Sequence, residues 1–339
     1  SLARMNRIRD LDPVDMTMTA EAGVVVKTAQ EAAAAAGCLF PLSFGGEGTA
    51  MIGGVLSTNA GGNNTVRYGN ARELMLGLEV VLPDGSIWHG LRRLRKDNTG
   101  FDLRDLYIGS EGCLGIITAA VIKLYPLPQT QWTALVAVPN IPATIELLSL
   151  FQKRTAALLT GFEMMSKDSL DLTAKQFPHM KNPLANDPPY TVLVELSDHE
   201  GEEHARNLME QVLESAFEAG IASDAVIASN LSQTQSFWTM REHITMAAAE
   251  DGLQVKFDIA LPISSIAEFC RVTEDKLRQA YPGIRLSNFG HLGDGNLHFN
   301  VQPPAELARG DALEAFELAA NTLVFDAVQA LGGTISAEH

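Results

Sequence analysis

The sequence predicts an α+β protein of two domains. Three observations carry that expectation. The chain has 339 residues, 46% of them apolar and 19% charged, which is enough to bury a large core and more than one domain usually holds. Its first third is punctuated by glycine and rich in strand patterns. Beyond residue 129 the pattern changes to strand, helix, strand, strand, helix, strand, the ferredoxin-like arrangement of helices on one face of an antiparallel sheet. We therefore divide the chain into 1–128 and 129–330.

The elements follow in order. MTMTAEAG (16–23) alternates as a strand should, and VVVKTAQEAAAAAG (24–37) is a helix closed by Gly37 at its C′ position. FPLSFGGEGTAMIGGVLSTNAGGNN (40–64) is dense in glycine, which lets backbone approach a flat or charged ligand and lets N–H groups converge. Long surface loops are the plainer reading, although the interspersed Ala, Ile, Val and Leu speak against it. LMLGLEVVLPDGSIWHG (74–90) is a hairpin about a PDG turn, and YIGSEGCLGIITAAVIKLYPLP (107–128) is a second glycine-rich turn leading into a buried strand. Neither a GxGxxG opening a helix nor a GxxxxGK[ST] is present, so a Rossmann site and a P-loop are both excluded.

In the second domain QWTALVAV (131–138) is a strand, PATIELLSLFQKRTAALL (142–159) a helix and GFEMM (161–165) a short strand. YTVLVEL (190–196), EEHARNLMEQVLESAFEAG (202–220) and DAVIAS (224–229) give strand, helix and strand. FWTMREHITMAAAEDG (237–252) is helical, with Arg241 and Thr245 four apart on one face. KFDIAL (256–261), a helix over 266–281, then RLSNFGHLG and NLHFNVQ as paired strands complete one wide sheet.

Within those paired strands, GHLGDGNLHFN (290–300) sets His291 and His298 seven apart around a tight-turn sequence. The spacing leaves two readings open: hydrogen-bonded histidines facing each other across a hairpin, or two ligands of a zinc or manganese site that needs a carboxylate besides.

Composition narrows the function. Net charge is −16, so the overall field repels nucleic acid and anionic lipid, and an anionic substrate must be met by a local positive cluster. Arg and Lys suit that task; taken alone, Arg241 reads as a solvated helix residue paired with Glu242. Cys38, Cys113 and Cys270 form no CxxC pair and read as buried or partly buried free thiols of a reducing, cytoplasmic compartment. No apolar run approaches the roughly 18 residues of a membrane span. SLARMNRIRDLDP reads as mid-domain sequence, neither a signal nor a transit peptide.

TNAGGNNTVRYGNARELMLGLEVVLPDG (58–85) followed by LRKDNTGFDLRDLYIGSEGCLGIIT (94–118) resembles the FAD domain of vanillyl-alcohol-oxidase type flavoproteins, in the branch of flavin-dependent D-2-hydroxyacid dehydrogenases. The resemblance runs over nearly the whole chain and implies a fragment lacking both a pyrophosphate-binding subdomain at the start and a stretch after TISAEH. Residues 331–339 then begin the return to the FAD domain. It implies FAD contacts at Gly48, Gly53, Gly54, Thr58, Asn59, Ala60, Gly61, Gly112, Gly115 and Ile117, with departures at Val55, where Asn is usual, and Cys113, where Thr is usual. It further implies a divalent metal, zinc or manganese, on His291, His298 and Glu338; His339 as catalytic base; and Arg241, Thr245, Lys256 and Asn300 as substrate contacts. The implied activity is oxidation of a 2-hydroxyacid such as D-2-hydroxyglutarate, D-lactate or glycolate, with electrons passing to an electron-transfer flavoprotein or a quinone-linked carrier. A homodimer is left open. The rivals are a metal-dependent hydrolase, which leaves the glycine-rich third unexplained, and a flavin-free binding remnant.

Overall fold

The computed structural model describes residues 2–338. They divide into two compact units, one running to Gln129 and taking in Glu338, the other from Thr130 to Ala337.

The first unit opens with β1 (Ile8–Asp12) and β2 (Thr17–Glu21), then α1 (Val26–Ala35), β3 (Cys38–Leu39), α2 (Ile52–Ser57) and α3 (Thr65–Tyr68). β4 (Met75–Val81) and β5 (Ile87–Gly90) form the hairpin expected of the PDG turn, and α4 (Leu103–Tyr107), β6 (Ile116–Lys123) and β7 (Tyr125–Pro126) follow. The five-stranded sheet has the order β1-β2-β6-β4-β5 and is antiparallel throughout; β3 pairs with β7 apart from it. β6 is central because its residues Ile117 to Ile122 are buried on both faces, with β-branched and small side chains that suit a covered strand. Gly37 takes φ +73° just past α1, the left-handed end expected from the sequence.

The segment 40–64 is loop and turn except where α2 interrupts it. α2 buries Ile52, Val55 and Leu56 in the core of this unit, beside Val24, Val26 and Leu78. One cysteine also departs from expectation: Cys38 is buried, but Cys113 is exposed, because Glu111 and Gly112 both adopt positive φ and swing the turn outward from β6.

The second unit holds β8 (Thr130–Val138), α5 (Ile141–Thr155), β9 (Leu159–Ser166), α6 (Lys167–Gln176), β10 (Tyr190–Asp198), α7 (Glu202–Glu218), β11 (Asp224–Ile227) and α8 (Leu231–Asp251). β12 (Val255–Ala260), α9 (Ile266–Ala280), β13 (Arg285–Gly290), β14 (Asn296–Gln302) and α10 (Gly310–Ala330) complete it. Its seven strands form one antiparallel sheet in the order β11-β8-β10-β9-β13-β14-β12. The first four strands thus have the ferredoxin-like order, and the sheet is as wide as the sequence suggested. Two helices were not read from the sequence, α6 and α10. No helix among the described residues is long and apolar enough to cross a membrane.

Alternation along β14 divides its residues between the two faces of the sheet. Leu297, Phe299 and Val301 turn one way, where Phe299 meets Phe269 of α9 at 5.4 Å between ring centres. Asn296, His298, Asn300 and Gln302 turn the other way, toward α6 and α8. This second face is where the chemistry collects.

Candidate functional site

The glycine-rich residues of the first unit fall into two groups. Gly53 lets α2 lie against β2 and its following turn, since a Cβ there would stand 2.8 Å from the Ala22 methyl group. Gly115 serves the same end beside β4, where a Cβ would stand 2.7 Å from Val80 Cγ1, and Ile117 points into the core. Gly61 is closely surrounded as well, with Asn70 Oδ1 3.1 Å from a Cβ position. By contrast Gly48 and Gly54 have no heavy atom within 4 Å of a Cβ position, so their backbone stands open. Thr58 ends α2 exposed, and Asn59 holds φ +54°, a conformation its amide supports by accepting the Arg72 N–H at 2.9 Å. The Ala60 N–H donates to Val55 at 2.8 Å, and Gly112 at φ +78° forms the second turn. Val55 is packed in the core, so its apolar side chain fits its position.

In the second unit the register of the strands builds the site. His298 on β14 lies opposite Phe289 on β13 and opposite Asp258 on β12, and Phe289 in turn lies opposite Met165 on β9. Two residues before Met165, on the same face, is Glu163. His291 does not lie on a strand, as the sequence reading had it; it follows the end of β13, after Gly290 at φ +151°, where the chain departs into a short turn. That departure carries its ring over the sheet face, 5.6 Å from the ring of His298 and nearly perpendicular to it.

Beneath the histidines is a buried charge network. Glu163 Oε1 accepts from His291 Nδ1 at 2.6 Å and Glu163 Oε2 from Arg241 Nε at 2.8 Å. Burial alone would push the Glu163 carboxyl up, but the electrostatic pull of His291 and Arg241 and their hydrogen bonds outweigh it and hold it well below the usual carboxylate range. Arg241 is therefore no solvated helix residue. It is only 6% exposed, because residues 237, 240, 241 and 244 form the buried face of α8, and its guanidinium also lies 5.1 Å from the Phe289 ring. Next to this network Glu195 of β10 accepts from Trp238 Nε1 at 2.8 Å and from Thr133; burial raises its carboxyl against those hydrogen bonds.

Around the two histidines the remaining candidates take their places. His298 Nδ1 is 3.5 Å from Asp258 Oδ1, and that carboxylate is steadied by the Asn296 amide at 2.8 Å. The chain returns to β12 at its end: Thr334 bridges Ala260, and the Ala337 N–H donates to the Asp258 carbonyl at 3.1 Å. Glu338 is the next residue. Among the described residues, His291, His298 and Glu338 are the one group of three suited to a metal ion, their ligand atoms all within 4.8 Å of one another. His339 lies outside the described residues.

Lys256 lies directly opposite Asn300 across the β12–β14 pair and is exposed. Asn300 is 5% exposed, its amide makes no hydrogen bond among the described residues, and it lines a cavity of about 310 Å³ that also touches Ser287, Arg285 and Lys175. Thr245 is exposed one turn beyond Arg241 on α8. Glu163 and Glu195 were missed from the sequence. The available signal was a carboxylate in the middle of each apolar strand, GFEMM and YTVLVEL, which no strand buried on both faces tolerates without partners.

Comparison with known proteins places this geometry in context. Residues 127–339 match the family described as FAD linked oxidases, C-terminal domain, and residues 1–90 match an FAD binding domain. The chain is 35% identical over its full length to the mitochondrial D-2-hydroxyglutarate dehydrogenase of Rattus norvegicus, of which it spans 61%. It is also 35% identical to the D-2-hydroxyglutarate dehydrogenase of Xanthomonas citri pv. viticola, spanning 70% of that protein. Against the D-2-hydroxyglutarate–pyruvate transhydrogenase of Saccharomyces cerevisiae it is 31% identical and spans 68%. Among solved structures, alkyldihydroxyacetonephosphate synthase superimposes with a TM-score of 0.70 at 16% identity, over 98% of this chain and 63% of that one. p-Cresol methylhydroxylase gives 0.72 at 14% identity, over 98% and 70%. At those identities the two structures speak for the fold alone.

Proposed function

The chain belongs to the FAD-linked oxidases, and from that premise we propose that it catalyses the FAD-dependent oxidation of a D-2-hydroxyacid, D-2-hydroxyglutarate in the first place, to the 2-oxoacid. The observation that supports this most is the identity to D-2-hydroxyglutarate dehydrogenases over the whole length of the chain. D-lactate and glycolate are the alternative substrates. The division at 1–128, 129–330 and 331–339 belongs to the same proposal.

The residues fit both implied groups. Open backbone at Gly48 and Gly54 suits a flat cofactor, and two imidazoles with one carboxylate suit zinc or manganese. In this reading the candidate glycines with Thr58, Asn59 and Ala60 hold FAD, which when bound supplies the hydride acceptor. His291, His298 and Glu338 hold the divalent ion, which supplies Lewis acidity toward the substrate hydroxyl. Lys256 and Asn300 bind carboxylate oxygens, with Thr245 beside them. Arg241 contributes a donor, but its charge is already matched by Glu163, so Lys256 carries the positive charge left for a second carboxylate. His339 takes the hydroxyl proton as general base. Electrons leave to an electron-transfer flavoprotein or a quinone-linked carrier.

A panel of D-2-hydroxyglutarate, D-lactate and glycolate with an artificial electron acceptor, run on FAD-loaded protein before and after chelation, tests the reading. Turnover fastest with D-2-hydroxyglutarate and lost on chelation is expected. Flavin-free protein that hydrolyses esters would overturn it in favour of a metal hydrolase.

A further inference from the structure

We infer that Glu163 is the positioning residue of His291: it fixes the ring so that Nδ1 carries the proton and Nε2 presents the lone pair. The contact with Glu163 points to this arrangement. An ionised carboxylate only accepts, so the 2.6 Å contact from His291 Nδ1 to Glu163 Oε1 requires a proton on Nδ1. On the far side of the ring Arg241 Nη2 stands 3.5 Å from Nε2. The carboxylate cannot swing away from its task. Its second oxygen is bound by Arg241 Nε at 2.8 Å, and Glu163 and Arg241 are both buried.

The strand register makes this a built feature. Glu163 sits two residues from Met165, which pairs with Phe289 two residues before His291, so the acid and the ring are brought together by β9 and β13. A carboxylate behind a ligating imidazole orients the ring and raises its basicity, and its loss weakens metal binding by about 10- to 100-fold. The inference rests on the reading of His291 as a ligand, but the tautomer it fixes can be measured without any ion.

The test is the pair replacement Glu163→Leu with Arg241→Met, which removes both buried charges together and spares the fold an unpaired one. Imidazole nitrogen chemical shifts of metal-free protein report the His291 tautomer, and titration with zinc reports affinity. In the parent protein His291 is expected in the Nδ1–H form; in the double variant the two tautomers mix and zinc binds about 10- to 100-fold more weakly. An unchanged tautomer and unchanged zinc affinity in the double variant overturn the inference. If the parent binds no zinc yet shows the tautomer change on substitution, Glu163 positions the ring and the metal reading falls. Should the double variant fail to fold, Glu163→Gln answers the same question: its amide offers one acceptor where two are needed, and an unaltered His291 tautomer would overturn the inference.

Discussion

Two carboxylates with different surroundings set the expectations for single residues. Glu21, 3% exposed, accepts from the Arg7 side chain and backbone and from Arg9; the Arg7 hydrogen bonds, side chain first, outweigh burial and hold it down at about 2 against an ordinary 4.5. A depressed folded-state value stabilises above the unfolded value and is lost as the pH falls through the folded one. Glu21→Gln is therefore expected to cost about 1–2 kcal/mol at neutral pH. In paired denaturant titrations that gap should hold above pH 4.5 and close toward pH 2. His291→Ala or His298→Ala should abolish stoichiometric metal binding and most turnover with the flavin spectrum intact, since the candidate flavin contacts lie in the first unit; unaltered metal content in both variants counts against the ligand assignment. Lys256→Met should raise KM for D-2-hydroxyglutarate more than for D-lactate, by a factor equivalent to roughly 2–3 kcal/mol. Equal losses would place Lys256 on the carboxylate that both substrates share. The two histidines, Lys256 and Asn300 were legible because turn chemistry and family motifs mark them. Glu163 was not, because its meaning depends on partners 78 and 128 residues away.

Among the elements, α2 shows why two adjacent glycines are unequal. Gly53→Ala forces a methyl group to within 2.8 Å of Ala22, which overpacks the core and should lower stability by about 1–3 kcal/mol. Gly54→Ala meets open space, so thermal melts should be nearly unchanged while flavin retention falls if its backbone faces the cofactor. Equal retention in both proteins would move the cofactor elsewhere. Most elements could be read from period and turn residues, the hairpin of β4 and β5 most directly. α6 could not, because its buried face is Ser169, Leu170 and Thr173, too polar to give an apolar stripe. It is held instead by hydroxyl contacts: the Ser166 side chain accepts from the Ser169 N–H, and Ser169 and Ser287 share a hydrogen bond at 2.8 Å. A serine N-cap before an acidic first turn was the one sequence signal for it.

For the whole molecule the net charge of −16 opposes a dianionic substrate. The densest positive run, Arg92 to Lys96, does little to offset this, since Arg92 is paired with Asp97 and Arg93 with Asp10. Raising salt from about 0.01 M to 0.15 M shortens the screening length from roughly 30 to 8 Å, so kcat/KM for D-2-hydroxyglutarate should rise about two- to threefold and that for D-lactate less. A fall with salt would instead give Lys256 control of capture. The seven-stranded sheet carries a mechanical consequence of its own. β8 and β10 are joined along nine residue pairs, but β9 and β13 meet only at Met165–Phe289 and Met164–Gly290, a seam dividing the sheet into two plates. Each plate is free to act as its own cooperative block, and amides beside the seam should exchange with solvent through local opening before either plate unravels. Glu163 belongs to one plate and His291 to the other, so their hydrogen bond is a rivet across the joint, and whatever fastens the histidine also stiffens the sheet.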